Sequence, residues 1–458
     1  MNDMNNRIIL FGTGFQGKCA YELLKNDYRI IYFADNNSEL FGKTLFGIEI
    51  IPGEKIRDYL DEETDIIICS SMYYYEIEKQ LNSLGIPRYF VFFDGTIYDG
   101  RVNSVTTATK ICVRCVMNNS SDKYILFKEN GECNYCTNAL ERLPKEYFPN
   151  EEGVSRLNEL LMDIKAAGKG KKYDCVMGIS GGLDSSYLLY KGYQWGLRIL
   201  AVHIDDGFDT DISKCNIEKL VKTTGVDYEV IKPDPKQYND LILAYLKAGV
   251  PNIAIPQDNI LLAFLYKKMK EYGINYFLSG GNFALECILQ KDNTYDNLEI
   301  RNIYAIHKKF GTEELDKLCF ISKEQIDIER KQYGIEMPRP LNYIKYERNA
   351  AFKELNDFCG FEYYGRKHLE NIFTAFAQLY WLPKKFGVDK RTSHLSSMIV
   401  SNQLSRVDAL KECNEPLYDD SLMEKYIGIL KKKLCLNSEE FEIILNSPNH
   451  KHEDYNYA

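Results

Sequence analysis

Short apolar runs alternate with amphipathic stretches over most of the first 300 residues. Ile8 to Phe11 leads into glycines and then an apolar-faced segment, and RIIYFADNN, DIIICSS and RYFVFFD are further strand-like runs, with a helix around EIEKQLNSLG. From residue 151 the pattern recurs on a larger scale. VSRLNELLMDIKAAG predicts a helix, and YDCVMGIS, RILAVHIDDGF, YEVIKP and INYFLSGGN predict four strands. The stretches between them, including ISKCNIEKLVKTTG, KQYNDLILAYLKAG and PQDNILLAFLYKKMKEYG, carry helical spacing. Strands alternating with helices predict parallel, doubly wound sheets, whose ligands lie beyond the carboxyl ends of the strands. Beyond residue 300 helical patterning dominates.

Composition shifts divide the chain into four expected regions. These are a small Rossmann-like module (1–100), a linker with a four-cysteine knuckle (101–150), a larger α/β core (151–300) and a mostly helical region (301–458). At 458 residues this agrees with a prior of about 100 to 200 residues per domain.

The core opens on the most informative loop. After its first strand come Ser180, Gly181, Gly182, Leu183, Asp184, Ser185 and Ser186, and then a helix. Adjacent glycines let backbone N–H groups turn toward one point, and the helix N-terminus adds partial positive charge, so an anion is expected there. A Walker A loop would need G-x-x-x-x-G-K-[ST], and no lysine follows here. Asp184 would repel phosphate unless Mg²⁺ stands between them. Two further loops fall at strand ends: His203-x-Asp205-Asp206-Gly207 after the second strand, and Ser279-Gly280-Gly281-Asn282 after the fourth, with Glu286 four residues beyond.

Near the N-terminus, Gly12-x-Gly14-x-x-Gly17 and an acidic Asp35 about 20 residues on fit a nucleotide-binding fold. They equally fit a docking domain whose glycines serve strand-helix packing. The overlapping Gly12-x4-Gly17-Lys18-Cys19 is not a nucleotide triphosphatase loop, since Cys19 cannot supply the metal-binding hydroxyl. Cys112-x2-Cys115 and Cys133-x2-Cys136, seventeen residues apart, can close a Cys₄ zinc site. Redox pairs and an iron-sulfur cluster are the competing uses of such spacing. Four protein ligands leave no open position, so the zinc is expected to be structural and to buttress the domain that follows.

Charge and hydropathy narrow the class. A net charge of −9 argues against a large nucleic-acid surface. The N-terminus lacks signal-peptide order and no run is long enough to span a membrane, so a cytoplasmic location is expected. Lys384, Lys385, Lys390 and Arg391 lie within eight residues, near Arg366 and Lys367, and suggest an anionic ligand. His368 and His394, two of six histidines, could carry protons near neutral pH.

The SGGLDSS loop resembles the SGGxDS signature of the PP-loop (N-type) ATP pyrophosphatases. Downstream, Gly365-x-Lys367-His368, Lys385-Phe386-Gly387-x-Asp389-Lys390-Arg391 and His394-Leu395-Ser396 resemble bacterial N-acetyl sugar amidotransferases. The upstream order of CxxC pairs, SGGLDSS, HIDDG, Asn216-Ile217, Pro256-x-Asp258 and SGGN agrees, so the resemblance covers about residues 110–412. The first hundred residues weakly resemble Rossmann modules fused to bacterial surface-polysaccharide enzymes. Four positions depart from the family pattern: Arg366 for a glycine, Leu369 for an aromatic, and Phe208-Asp209 for a Trp-Asn pair.

The resemblance implies ATP-dependent conversion of a sugar acetamido group to acetamidino through an adenylated intermediate, in surface-glycan biosynthesis. ATP and pyrophosphate would lie on Ser180, Gly181, Gly182, Asp184, Ser185, Ser186, His203, Asp205, Ser279, Gly280, Gly281 and Asn282. Asp184 would hold Mg²⁺, and Asp184, Lys367, His368, Lys390, Arg391 and His394 would form the catalytic set. The chain has no cysteine at its second position to act as an N-terminal nucleophile, and no G-x-C-x-G elbow, so ammonia is expected from a partner glutaminase or from free ammonium. The rival reading is a tRNA-thiolating PP-loop enzyme, for which Cys287 would be the sulfur carrier. A catalytically inert scaffold is disfavoured by the intact loop.

Overall fold

The computed structural model describes residues 4–100, 109–365 and 369–455. It divides into two compact units. The first runs to Arg142 and takes in Gln290–Asp292 and Ser405–Leu410; the second comprises Leu143–Leu289, Asn293–Leu404 and the chain from Lys411 on.

Seven strands form the sheet of the first unit: β1 (Arg7–Phe11), β2 (Arg29–Asp35), β3 (Thr44–Leu45), β4 (Ile48–Pro52), β5 (Thr64–Ile68), β6 (Phe90–Phe93) and β7 (Thr96–Asp99). Their order is β3-β4-β2-β1-β5-β6-β7. The five inner strands are parallel, and β3 and β7 close the edges antiparallel. Of these, β3, β4 and β7 were not legible as strands in the sequence. Side-chain alternation buries both faces. Ile8, Leu10, Ile67, Phe90 and Phe92 enter one cluster, while Ile9, Phe11, Ile66, Ile68, Val91 and Phe93 enter the other. Tyr124 and Leu126, from the cysteine-bearing segment, complete the second cluster. The knuckle is therefore part of the core of the first unit.

The second unit holds four parallel strands, β8 (Cys175–Gly178), β9 (Ile199–Ile204), β10 (Asp227–Ile231) and β11 (Phe277–Leu278), in the order β10-β9-β8-β11. The chain leaves β8 toward β9 and β10, then returns to the far side of β8 as β11. That reversal makes a crevice between the carboxyl ends of β8 and β11. The intervening helices obey local rules. Asp211–Thr224 is capped by the Thr210 side chain and stopped by Gly225 at φ 66°, and Pro235–Ala248 is capped by Asp234 and stopped by Gly249 at φ 64°. Helices from both sides of the sequence share one large core, in which Tyr238, Tyr245, Ile303, Phe373, Trp381 and Phe441 are buried together. No helix among the described residues is long and apolar enough to cross a membrane.

In the first unit the glycines of the N-terminal motif have separate duties. Gly12 sits at φ 117°, with a Cβ position 3.1 Å from the Cys69 carbonyl oxygen, and a Cβ on Gly17 would fall inside the Gly12 carbonyl oxygen. Gly14 faces open space. Gly17→Ala should therefore cost the first unit about 1–3 kcal/mol through strand-helix overpacking, whereas Gly14→Ala should stay within about 0.5 kcal/mol. Chemical denaturation of the two variants measures this; equal midpoints would contradict the packing role.

Candidate active site at the strand ends of the second unit

The loop after β8 turns at Gly181, φ 74°, into the helix Leu183–Gln194. A Cβ on Gly181 would strike the Ser213 backbone, and one on Gly182 would stand 2.6 Å from Glu370 Oε1. Hydroxyls satisfy the N–H groups of the turn. Ser180 N–H donates to Ser185 Oγ (3.3 Å), Gly182 N–H to Ser180 Oγ (3.2 Å) and Leu183 N–H to the Tyr364 hydroxyl (2.8 Å). A phosphate oxygen is a stronger acceptor than a hydroxyl and can replace it. The loop after β11 closes on the same turn, since the Cβ position of Gly280 lies 3.2 Å from Ser185 N. Asn282 caps the short helix Phe283–Glu286 through Leu285 N–H (2.9 Å). Ser279 Oγ accepts from Gly281 N–H (3.2 Å). Glu286 accepts from Asn282 N–H (3.3 Å), outside the residues that line either cavity described next.

Two cavities open beside these loops and share Gln378 and Lys390 in their walls. The larger, about 360 Å³, is lined by Ser180, His203, Asp206, Asp209, Asp258 and Glu370 among others. The smaller, about 60 Å³, is lined by Asp184, Tyr364, Arg391 and His394. Thus Asp184, Lys390, Arg391 and His394, which lie as much as 210 positions apart in the chain (394 − 184), meet around one space. Lys367 and His368, with Arg366, lie outside the described residues. Ser186 is fully buried within its helix and Asp205 turns to Lys232 (3.1 Å), so neither lines these cavities.

The basic cluster read from the sequence separates in space. Lys385 donates to the carbonyls of Ile444, Leu445 and Ser447 (3.3, 3.1 and 2.7 Å), capping the end of helix Ser438–Asn446, and burial lowers its pKa. Arg391 has every donor engaged. Nε and one Nη meet the Asp389 carboxylate, and the two Nη atoms also reach the carbonyls of Glu412, Cys413 and Glu415 at 2.8–3.0 Å. In this arrangement its guanidinium organises a turn and has no N–H left over for a ligand. Lys390 donates to Asn293 Oδ1 (2.8 Å) and, among the described residues of the group, is the cation that lines both cavities. Lys384, by contrast, lies over the Tyr380 ring, outside both walls.

His203 illustrates how the cleft is charged. Its Nδ1 lies 2.8 Å from the Ile179 carbonyl oxygen and its Nε2 2.9 Å from Asp209 Oδ2. Both partners are acceptors, so both bonds form only in the imidazolium. Burial works against that charge, but the Asp209 carboxylate and the Ile179 carbonyl outweigh it and raise the pKa. Asp209 is one of the departures from the family pattern, and an asparagine there would supply no charge. Asp206 is enclosed by the Tyr238 hydroxyl (3.1 Å), Gln257 (2.6 Å), Asn371 (3.3 Å) and Phe208 N–H (2.9 Å). Burial raises its pKa as well. Asp205 goes the other way: burial is outweighed by Lys232 and Gly207 N–H, which lower it.

Sequence reasoning missed Tyr346, whose hydroxyl donates to Asp184 Oδ1, and Tyr364 and Glu370 beside the loop. Only long-range folding brings them there, and no local spacing announces it.

In the first unit the four thiols of Cys112, Cys115, Cys133 and Cys136 are buried and lie within 4.8 Å of one another. The Cys112–Cys136 and Cys115–Cys133 sulfur separations are 3.7 and 3.6 Å. A tetrahedron of Zn–S bonds of about 2.3 Å has edges of about 3.8 Å, so the set fits zinc. Backbone N–H groups of Cys115 and Cys133 point at Cys112 Sγ (3.4 and 3.2 Å), and Arg406 holds the carbonyls of Cys112 and Cys115 at 2.7 and 3.0 Å. A separate crevice of about 470 Å³ lies at the carboxyl ends of β1, β2 and β5, where the order of the first sheet reverses. In its wall, Asp35 accepts from Thr13 N–H and Oγ1–H (3.0 and 2.6 Å).

Residues 370–458 match the family model described as LPS biosynthesis protein WbpG-like, C-terminal domain, and residues 4–92 match the one described as C2185-like, N-terminal. No curated protein matches. Among solved structures, similarity is found to an NH3-dependent NAD synthetase from Campylobacter jejuni, with 14% identity over 65% of this chain and 98% of that one and a TM-score of 0.28. An NMN synthetase from Francisella tularensis shows 13% identity over 51% and 97%, with a TM-score of 0.23. A Rex-family repressor, RSP, shows 22% identity over 18% of this chain, with a TM-score of 0.16, and is matched over 43% of its own length.

The His203–Asp209 pair and the knuckle each make a measurable demand. Asp209→Asn should lower the His203 pKa, read by NMR titration. Because that pKa is raised in the folded state, the stability drawn from the pair is full below about pH 6.5 and fades as pH rises through the folded value. The variant should therefore lose about 1.5–3 kcal/mol near pH 6 and progressively less in alkali. Metal analysis of the purified chain should find stoichiometric zinc that Cys133→Ser abolishes, and iron with a visible chromophore would overturn the zinc assignment.

Proposed function

We propose that the chain is an ATP-dependent ligase of bacterial surface-glycan biosynthesis that converts an N-acetyl sugar to its acetamidino derivative. The observation that carries this reading is the convergence of Asp184 from the glycine loop with Lys390 and His394 from the C-terminal region around one cavity. It is supported by the match of residues 370–458 to a lipopolysaccharide-biosynthesis family model.

The acetamido oxygen attacks the α-phosphorus of ATP, pyrophosphate leaves, and ammonia then displaces AMP from the adenylated carbon. An amide oxygen is a poor leaving group, and adenylation turns it into a good one. Ser180 to Ser185 hold the pyrophosphate on backbone N–H groups and the helix N-terminus. Asp184 and Glu370 flank this cradle with two carboxylates, which repel bare phosphate and accept it with Mg²⁺. Asp184 supplies a hard oxygen ligand, oriented by the Tyr346 hydroxyl. Lys390 offsets the charge that passes to the leaving groups, and His394 is placed to move protons in the smaller cavity. The larger cavity falls within the roughly 300–1,000 Å³ of ordinary ligand sites and takes the nucleotide. Zinc, held by the four cysteines, is structural, and a partner glutaminase supplies the ammonia.

For tRNA thiolation a sulfur-carrying cysteine should face the site. No cysteine lines either cavity among the described residues, and Cys287 is buried with Sγ 3.9 Å from the Ser397 carbonyl oxygen.

Incubation with ATP, Mg²⁺, ammonium and a panel of free and nucleotide-linked N-acetyl sugars should release AMP and pyrophosphate and replace O by NH in one sugar, read by mass. Sugar-independent turnover with tight, salt-sensitive tRNA binding would favour thiolation. Asp184→Ala should lower AMP release at least about 100-fold, the scale of a lost metal contact in phosphoryl chemistry.

A further inference from the structure

The wall of the larger cavity carries four carboxylates, and three are already engaged. Asp206 accepts four hydrogen bonds, Asp209 pairs with His203, and Glu370 lies against Gly182 with polar contacts of its own. Asp258 is different. It stands in the first turn of helix Ile255–Tyr272, two residues after Pro256, and makes no side-chain hydrogen bond or ion pair with the described residues. Protein surrounds it, yet its surface stays open because it faces the cavity. Burial pushes its carboxyl up to about 6.

We propose that Asp258 is the general base that takes a proton from the incoming ammonia nitrogen, an inference that rests on the amidination reading above. The nitrogen lone pair forms a bond to the adenylated carbon as the carbon's C=N π pair moves onto the sugar nitrogen, giving an adduct with positive charge on the incoming nitrogen. One N–H proton passes to the Asp258 carboxylate, the C–O bond to AMP breaks, and its electron pair leaves with the phosphate. Asp258 then returns the proton to water. No oxidant, reductant or further reactant is needed.

Among the described residues, the other ionisable groups facing this space are poorly suited to the task. His203 uses both ring nitrogens as donors and cannot accept a proton in that state. Asp206 is saturated by the Tyr238 hydroxyl, Gln257, Asn371 and Phe208 N–H, and Asp209 is bound to His203. Tyr238 is held protonated by burial and by the nearby Asp206 and Asp258 charges. Lys390 donates to Asn293, and Glu370 stands beside Gly182, where the phosphate and Mg²⁺ of the proposed reaction would engage it. A carboxylate with an open face and a pKa near the working pH is what amine deprotonation needs.

The test separates the two half-reactions in the full chain. Exchange of radiolabelled pyrophosphate into ATP, in the presence of the N-acetyl sugar, reports adenylation alone. Amidine formation with ammonium chloride reports both steps. Asp258→Asn should cut amidine formation about 100-fold or more beyond whatever it costs exchange. With rates expressed per un-ionised ammonia, so that the titration of ammonium itself drops out, the acid limb of the wild-type profile, with an apparent pKa near 6, should vanish in that variant and survive in Asp258→Glu. If exchange and amidine formation fall together with a raised KM for ATP, Asp258 holds the nucleotide and the proposal fails. Unchanged amidination in Asp258→Asn would also overturn it. Absence of sugar-dependent exchange in the wild-type chain would instead sink the amidination reading itself, and this inference with it.

Discussion

The second unit depends on one steric constraint: two loops meet at the reversal of its sheet with no room for side chains between them. Gly181 sits against the Ser213 backbone, Gly182 against Glu370, and Gly280 against the backbone of Asp184 and Ser185. A methyl group at Gly181 or Gly182 would push the loop out of reach of its partners. The contact exists because β11 pairs with β8 rather than extending the sheet beyond β10. Sheet order and glycine placement are thus a single requirement.

Electrostatics then separate the cations and anions of that unit that fasten the framework from those that line the cavities. Lys385 and Arg391 direct their donors at backbone carbonyls and at Asp389, so they fasten the C-terminal helices. Their desolvation is offset by hydrogen bonds rather than by a ligand, which makes substitution costly without making them chemical participants. Asp206 and the His203–Asp209 pair form a fixed polar floor. Lys390, His394, Asp184 and Asp258 line the two cavities.

Much of this was legible from local sequence, and the limits have physical causes. The loops at Ser180, His203 and Ser279 could be placed at strand ends because glycine turns and apolar runs are local signals, and the CxxC pairs could be matched to a Cys₄ set by spacing alone. The short edge strands Thr44–Leu45 and Thr96–Asp99 are too brief for a period of two to register. The basic run 384–391 misled for a related reason. Its start closes a π-helical segment, Ala377–Phe386, ended by Gly387 at φ 67°, and the turn that follows points neighbouring cations in different directions. Sequence proximity gave a patch; backbone geometry dispersed it. Tyr346, Tyr364 and Glu370 reach the glycine loop only through contacts more than 160 residues long, which no windowed pattern can detect.

The first unit shows that a familiar motif need not have one meaning per residue. Gly17 is required by packing whether or not the crevice binds anything, and Gly12 by its φ of 117° and its approach to Cys69. Gly14 is bound by neither demand, so it is the glycine whose openness leaves the helix Phe15–Leu24 without a side-chain cap. Asp35 also departs from the dinucleotide arrangement that its position suggested. One oxygen is taken by Thr13 and the other by Asn37 N–H (2.9 Å), so the carboxylate braces the loops that follow β1 and β2. The acceptor in this crevice wall is already shared among three donors, which ties it to the fold whether or not a ligand enters.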